Sequence, residues 1–98
     1  MTGLVLSITS PTVPPESAAA LTEAYREVTA KMPHSVLQTV LAKGDADDWR
    51  IITLWRSREQ MLEYRRKVGT SAAVKIFRDL HAEPTVTELD VAHRAATE

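Results

Sequence analysis

The heptapeptide WRIITLW, Trp49 to Trp55, constrains the chain more than any other stretch. A run of β-branched and aromatic residues reads as a strand, and in a strand alternate side chains face opposite ways. Trp49, Ile51, Thr53 and Trp55 therefore share one face, and Arg50, Ile52, Leu54 and Arg56 the other. Both faces carry large apolar groups. The preceding strand candidate, Ser35 to Ala42, has the same character, with Val36 and Val40 opposed to Leu37 and Leu41. Helices of the length available here cover one side of such a sheet, so the other side needs a second cover. A second copy of the chain is the simplest one, because symmetric dimers are the commonest oligomers.

The remaining elements follow from local signals. Leu4 to Thr9 is a short apolar run stopped by Ser10 and Pro11, which suits a first strand. TVPPE then opens a helix, with apolar Ala18, Leu21, Tyr25, Val28 and Met32 at helical spacing, and Pro33 closes it. After the polar turn KGDADD and the Trp49 to Trp55 strand, Ser57 with Gln60 three residues on forms a capping box for a helix reaching about Lys67. Gly69 breaks that helix. Ser71 caps another, with Ala73, Ile76, Phe77 and Leu80 on one face, and Thr85 to Val91 is a last strand. The order β-α-β-β-α-α-β predicts an α+β, ferredoxin-like fold: a four-stranded antiparallel sheet with helices on one face, forming one domain over residues 1–98 with 91–98 as a frayed tail.

Composition narrows the function classes. Twelve Lys and Arg against thirteen Asp and Glu give a net charge of −1, which offers no overall attraction to nucleic acid or to an anionic membrane. The balance is local: between Arg56 and Arg78 lie seven basic residues and two acidic ones. That run reads as a solvated helix face or, functionally, as a positive field beside a pocket for an acidic ligand. With no cysteine, thiolate nucleophiles, disulfides and cysteine metal sites are excluded. No stretch has the length of a membrane span or the pattern of a signal peptide, so the expected location is the cytoplasm. No pair of histidines and no His with a carboxylate has metal-ligand spacing, and no metal site is expected. There is also no nucleophile elbow and no phosphate-binding glycine loop.

Trp55-Arg56-Ser57 at the end of the third strand, the following helix, the segment Gly69 to Ala73 and the closing AEPTVTELDV (Ala82 to Val91) together resemble the antibiotic biosynthesis monooxygenase family of dimeric α+β barrels. The likeness runs from about Leu4 to Val91. It implies a homodimer and, where members are catalytic, oxygenation of a small aromatic substrate without cofactor: an electron-rich phenolate activates dioxygen while the protein desolvates, orients and stabilises the developing anion. Carried onto this chain, Tyr64 is the hydrogen-bonding group, Trp55 the stacking wall, Tyr25 a second polar contact, and Arg65 or Arg78 a counter-charge. Met61 and Phe77 are expected around the same space. Ser7 occupies the mid-strand position where the family places an asparagine, a residue type absent from this chain. Haem-degrading members use a histidine from the helical region, and here only His81 is near that region, as a proton-transfer or iron-ligand candidate.

Each of these residues also has a purely structural reading. Trp55 suits a core or dimer-interface anchor, Tyr25 and Phe77 suit the core, and His81, at the end of the helical region, could reach a ligand only if the last turn bent inward. The rival to an oxygenase is accordingly a binding or interaction module that keeps the dimer and lacks the chemistry.

Overall fold

The computed structural model describes residues 3–45, 47–69 and 71–95. Strand β1 (Val5–Ser10) leads through one 3-10 turn (Pro15–Ser17) into helix α1 (Ala18–Thr29). A hairpin of β2 (Val36–Lys43) and β3 (Trp49–Trp55) follows, then α2 (Arg58–Val68), α3 (Ala72–Asp79) and β4 (Thr85–Asp90). The sheet order is β2-β3-β1-β4 with every neighbouring pair antiparallel. This is the α+β, ferredoxin-like arrangement that the element order predicts.

Local chemistry explains the boundaries. Ser57 accepts a hydrogen bond from the Gln60 amide at 3.1 Å and Ser71 accepts one from the Val74 amide at 3.4 Å, so both predicted caps are formed. Gly69, at φ 83°, occupies the positive-φ region that ends α2 without a steric penalty. Helix α3 ends differently. The Ala82 amide bonds the Phe77 carbonyl and the His81 amide bonds the Arg78 carbonyl, both at 2.9 Å, which is a Schellman turn with His81 at φ 62°. Phe77 and Ala82, the two ends of that turn, are packed in the same core cluster.

One face of the sheet packs on the helices. Val5, Ser7 and Thr9 of β1 and Trp49, Ile51, Thr53 and Trp55 of β3 are buried there. Above one end of this face, Val13, Leu21, Ile76 and Phe77 close a core with Trp49 and Ile51; above the other, Met61 packs on Val5 and Trp55. On the opposite face no helix lies among the described residues, and Leu6, Ile8, Val40, Ile52, Leu54 and Leu89 line up there by register.

Two expectations change. The pairing of Val36 with Trp55 is followed directly by that of Gln38 with Leu54, so Leu37 is an extra residue in a β-bulge. One extra residue inverts the alternation, and Val36, Thr39 and Leu41 share the helix-covered face while Val40 turns outward, against the expected grouping of Val36 with Val40. Helix α1 also stops at Thr29, one turn short of Met32; Val28 and Met32 are exposed at its end rather than buried on its stripe. The tail is tied at its start, since the Val91 amide bonds the Leu4 carbonyl at 3.0 Å; residues 92–95 have no regular structure and 96–98 lie outside the described residues.

Candidate functional site

Between the sheet and the helices, where the two core clusters leave a gap, is a cavity of about 80 Å³. Its floor is the middle of the sheet. Register places Ser7, Thr53 and Thr39 side by side across β1, β3 and β2, a row of three hydroxyls where a core would normally carry aliphatic groups. Two of the three are joined: the Thr39 and Thr53 hydroxyls lie 3.2 Å apart, and the Tyr25 hydroxyl, reaching down from α1, donates to Thr39 Oγ1 at 3.1 Å. The Trp55 indole N–H donates to Ser7 Oγ at 2.9 Å. A row of this kind is tolerated because each of the three hydroxyls finds a hydrogen-bond partner, Thr39 and Thr53 in one another and Ser7 in the Trp55 indole.

One wall is aromatic. The rings of Trp55 and Tyr64 lie 5.5 Å apart with their planes inclined by 46°, a tilted contact within the range in which aromatic pairs attract. Trp55 is buried and Tyr64 half-buried; the Tyr64 hydroxyl has no hydrogen-bond partner among the described residues. On its other side Tyr64 borders a larger, polar surface groove of about 320 Å³ with His34, Gln60, Glu63 and Lys67. We take the smaller cavity as the site because there the aromatic, hydroxyl and cationic groups meet, whereas the groove is flanked by exposed side chains.

The cationic group is Arg65, next to Tyr64 on α2. Its Nη1 donates to the Glu88 carboxylate on β4, and its buried Nε has no hydrogen-bond partner among the described residues. Arg58, about two turns earlier, donates to Glu88 at 3.1 Å and to Asp90 at 2.9 Å. This four-residue ion network fastens α2 to β4. The hydrogen bond from Arg65 holds the Glu88 carboxyl below its ordinary range against an opposing desolvation cost, while Asp90 first and Glu88 second push the Arg58 guanidinium upward. The cavity lining contains Lys31 and Arg65 but no aspartate, glutamate or histidine among the described residues.

Of the residues expected around a pocket, Ser7, Tyr25, Trp55, Tyr64 and Arg65 border this cavity together. Met61 and Phe77 do not; both are fully buried in the two core clusters. Arg78 is exposed and paired with Glu83 at 3.4 Å, and His81 is exposed in the turn after α3. Thr39 and Thr53 were not among the sequence candidates. Thr53 shares a strand face with Trp55 and was open to detection, whereas Thr39 reaches that face only through the bulge at Leu37. No group of three or more His, Asp or Glu able to hold a metal is found among the described residues.

Comparison with solved structures places this architecture. A candidate antibiotic biosynthesis monooxygenase from Caulobacter crescentus superposes with a TM-score of 0.74 at 17% identity, covering 94% of this chain and 92% of its own. One from Deinococcus radiodurans gives 0.73 at 15% identity, with 96% and 98% covered. SnoaB, a cofactor-independent oxygenase from Streptomyces nogalater, seen as an asparagine-to-alanine variant, gives 0.69 at 14% identity, with 95% and 97% covered. No protein-family model matches the chain, and a search of curated proteins finds no match. The family resemblance of the sequence is thus found again as a shared fold extending over almost the whole chain.

Proposed function

We propose that this chain is a cofactor-independent monooxygenase of a small aromatic substrate, working in the cytoplasm as a homodimer. The observation that carries the reading is the cavity itself: one aromatic wall, Trp55 with Tyr64, stands over a floor of hydroxyls, in a fold shared with a cofactor-independent oxygenase. A phenol with a free ring position satisfies the balance of such a reaction without a reductant. The ring loses its C–H and O–H hydrogens, a new carbon–oxygen bond forms, the O–O bond breaks, one oxygen atom stays as a quinone carbonyl and the other leaves as water. All electrons come from the substrate.

The chain's own groups suit that role. Trp55 and Tyr64 would hold a flat ring by stacking, and the Tyr64 hydroxyl, which has no partner among the described residues, could bond a ligand oxygen. Burial strengthens each polar contact by excluding water. The homodimer reading is supported by the helix-free face, where Leu6, Ile8, Ile52 and Leu54 sit in adjacent strands with no helix over them.

One observation favours the binding-module reading: among the described residues the cavity lining has no carboxylate or imidazole to act as a conventional general base. The haem-binding alternative lacks support, since His81 is in the turn after α3 and outside the cavity lining. Oxygen consumption with a panel of one- and two-ring phenols, without added reductant, separates the first two. The oxygenase reading predicts uptake equal to the quinone formed and strongly reduced in Tyr64→Phe; ligand binding with no uptake across the panel would leave the binding module.

A further inference from the structure

A space of about 150 Å³ accommodates benzene, and the cavity between sheet and helices has about 80 Å³. A ring-bearing ligand must therefore continue beyond it. Pro33 and Tyr64 border both this cavity and the polar groove on the surface, so the two spaces abut at the Tyr64 ring. The groove, of about 320 Å³, is the larger of the two. Its chemistry decides what the rest of the ligand is.

The groove is built from two sides. Gln60, Glu63, Tyr64 and Lys67 recur at spacings of three and four on α2, and this one stripe of the helix forms a bank. The other bank is the entry to β2, held by three hydrogen bonds: the Val36 amide to the Pro33 carbonyl at 3.1 Å, Arg56 Nε to the His34 carbonyl at 2.7 Å, and the Arg56 amide to the Ser35 carbonyl at 2.9 Å. The backbone is engaged while the side chains are not. Those of His34, Gln60, Glu63, Tyr64 and Lys67 make no hydrogen bond or ion pair among the described residues. Glu63 and Lys67 form no salt bridge, at the spacing where Lys75 and Asp79 pair at 3.0 Å. Solvation accounts for exposed Gln60, Glu63 or Lys67 singly. It does not account for Ser35 Oγ in the same lining, which is buried and has no partner among the described residues.

The same side chains limit the ligand. Glu63 only accepts hydrogen bonds and Lys67 only donates them, while Ser35, Gln60, Tyr64 and a neutral His34 do both. One carboxylate and one ammonium balance, so a charged group would gain one partner and meet another of its own sign. A hydroxyl gives one hydrogen bond and accepts two, which suits every member of the set. We infer that the groove is a second subsite and receives a neutral, hydroxyl-rich substituent, a sugar or polyol, of the molecule whose ring enters the cavity. Tyr64, with an apolar ring and a polar tip, stands at the junction. The inference rests on the cavity being a ligand site, but not on any oxygenation there, so a protein that consumes no oxygen leaves it standing.

4-Nitrophenyl glycosides separate the two subsites, since 4-nitroanisole carries the same ring without the sugar and methyl glycosides carry the sugar without the ring. Among the β-glucoside, β-galactoside, β-xyloside and α-mannoside, at least one should bind about tenfold more tightly than 4-nitroanisole or better. The backbone amide resonances of Ser35, Gln60 and Glu63 should move only when the sugar is present. Gln60→Ala and Glu63→Ala should each remove most of the advantage and leave 4-nitroanisole binding unaltered, a distinction that a loss of folding would not produce. Glycosides no tighter than 4-nitroanisole across the panel, an undiminished advantage in both variants, or no movement of the groove amides would overturn the subsite while leaving the cavity as a ligand site. Groove amides that move with methyl glycosides, while Ile51 responds to no ring-bearing probe, would overturn the cavity as a ligand site and with it the joined site. Binding of none of the probes would overturn both.

Discussion

The indole nitrogen of Trp55 donates to the hydroxyl of Ser7 at 2.9 Å, across the diagonal of the β1–β3 ladder, where Val5 is the direct partner of Trp55 and Thr53 that of Ser7. This bond fixes the plane of the aromatic wall and the direction of the Ser7 hydroxyl together. Ser7→Ala therefore leaves a buried indole N–H unpaired and should cost about 1–3 kcal/mol in urea unfolding. In a Trp55→Phe background the same change should cost much less, since no donor remains to be orphaned. Equal costs in both backgrounds would contradict the pairing.

His81 ends helix α3 with φ 62°, a conformation that disfavours any residue with a Cβ. Its side chain is exposed and its backbone closes the Schellman turn. Replacing it by glycine should stabilise the protein by roughly 0.5–1 kcal/mol, after allowing for the greater chain entropy of glycine when unfolded. A higher urea midpoint with unaltered ligand binding is expected. A loss of binding in His81→Gly would return this histidine to the site.

Glu88 gives the protein a defined acid response. Its folded-state carboxyl is held below the ordinary value of about 4.5, chiefly by Arg65. The stabilisation is therefore complete above that ordinary value and is lost as pH falls from there through the depressed folded value. Denaturation midpoints measured between neutrality and pH 3 should fall more steeply below about 4.5 in the parent than in Glu88→Gln. Parallel curves would show that the Arg65–Glu88–Arg58 network is not coupled to folding.

Ile52 and Leu54 lie on the helix-free face, opposite to Ile51 and Thr53 in the same strand. The proposed homodimer should appear in light scattering as a particle of about twice 10.9 kDa. Ile52→Lys should shift it toward the single-chain mass by placing a charge at the centre of that face. A single-chain mass for the parent at micromolar concentration would contradict the dimer and leave the cavity intact.

Much of this arrangement is legible in the sequence because the signals are local. The strand Trp49–Trp55 and the caps Ser57 and Ser71 each depend on a few neighbouring residues, and all form as read. The bulge at Leu37 is not legible, since its cause lies in how two strands pair, and it alone decides that Thr39 rather than Gln38 faces the cavity. Periodicity also places Met61 and Phe77 on inward faces without saying whether they border a space or fill it; tertiary packing makes both of them core. Arg78 and His81 fall outside because they lie on the solvent side of the end of α3, whose inner side is taken by Ile76, Phe77 and Ala82.

Ile51 and Ile52 offer the most direct test of the site, being consecutive residues on opposite faces of the sheet, with Ile51 at the cavity and Ile52 outside it. Methyl-labelled protein titrated with 4-nitrophenol should show the Ile51 and Thr53 methyl resonances and the Trp55 indole N–H moving in step, with those of Ile52 and Leu54 unaffected. Shifts confined to Ile52 and Leu54, or to residues of the polar groove such as Gln60 and Lys67, would place the ligand elsewhere and contradict the account.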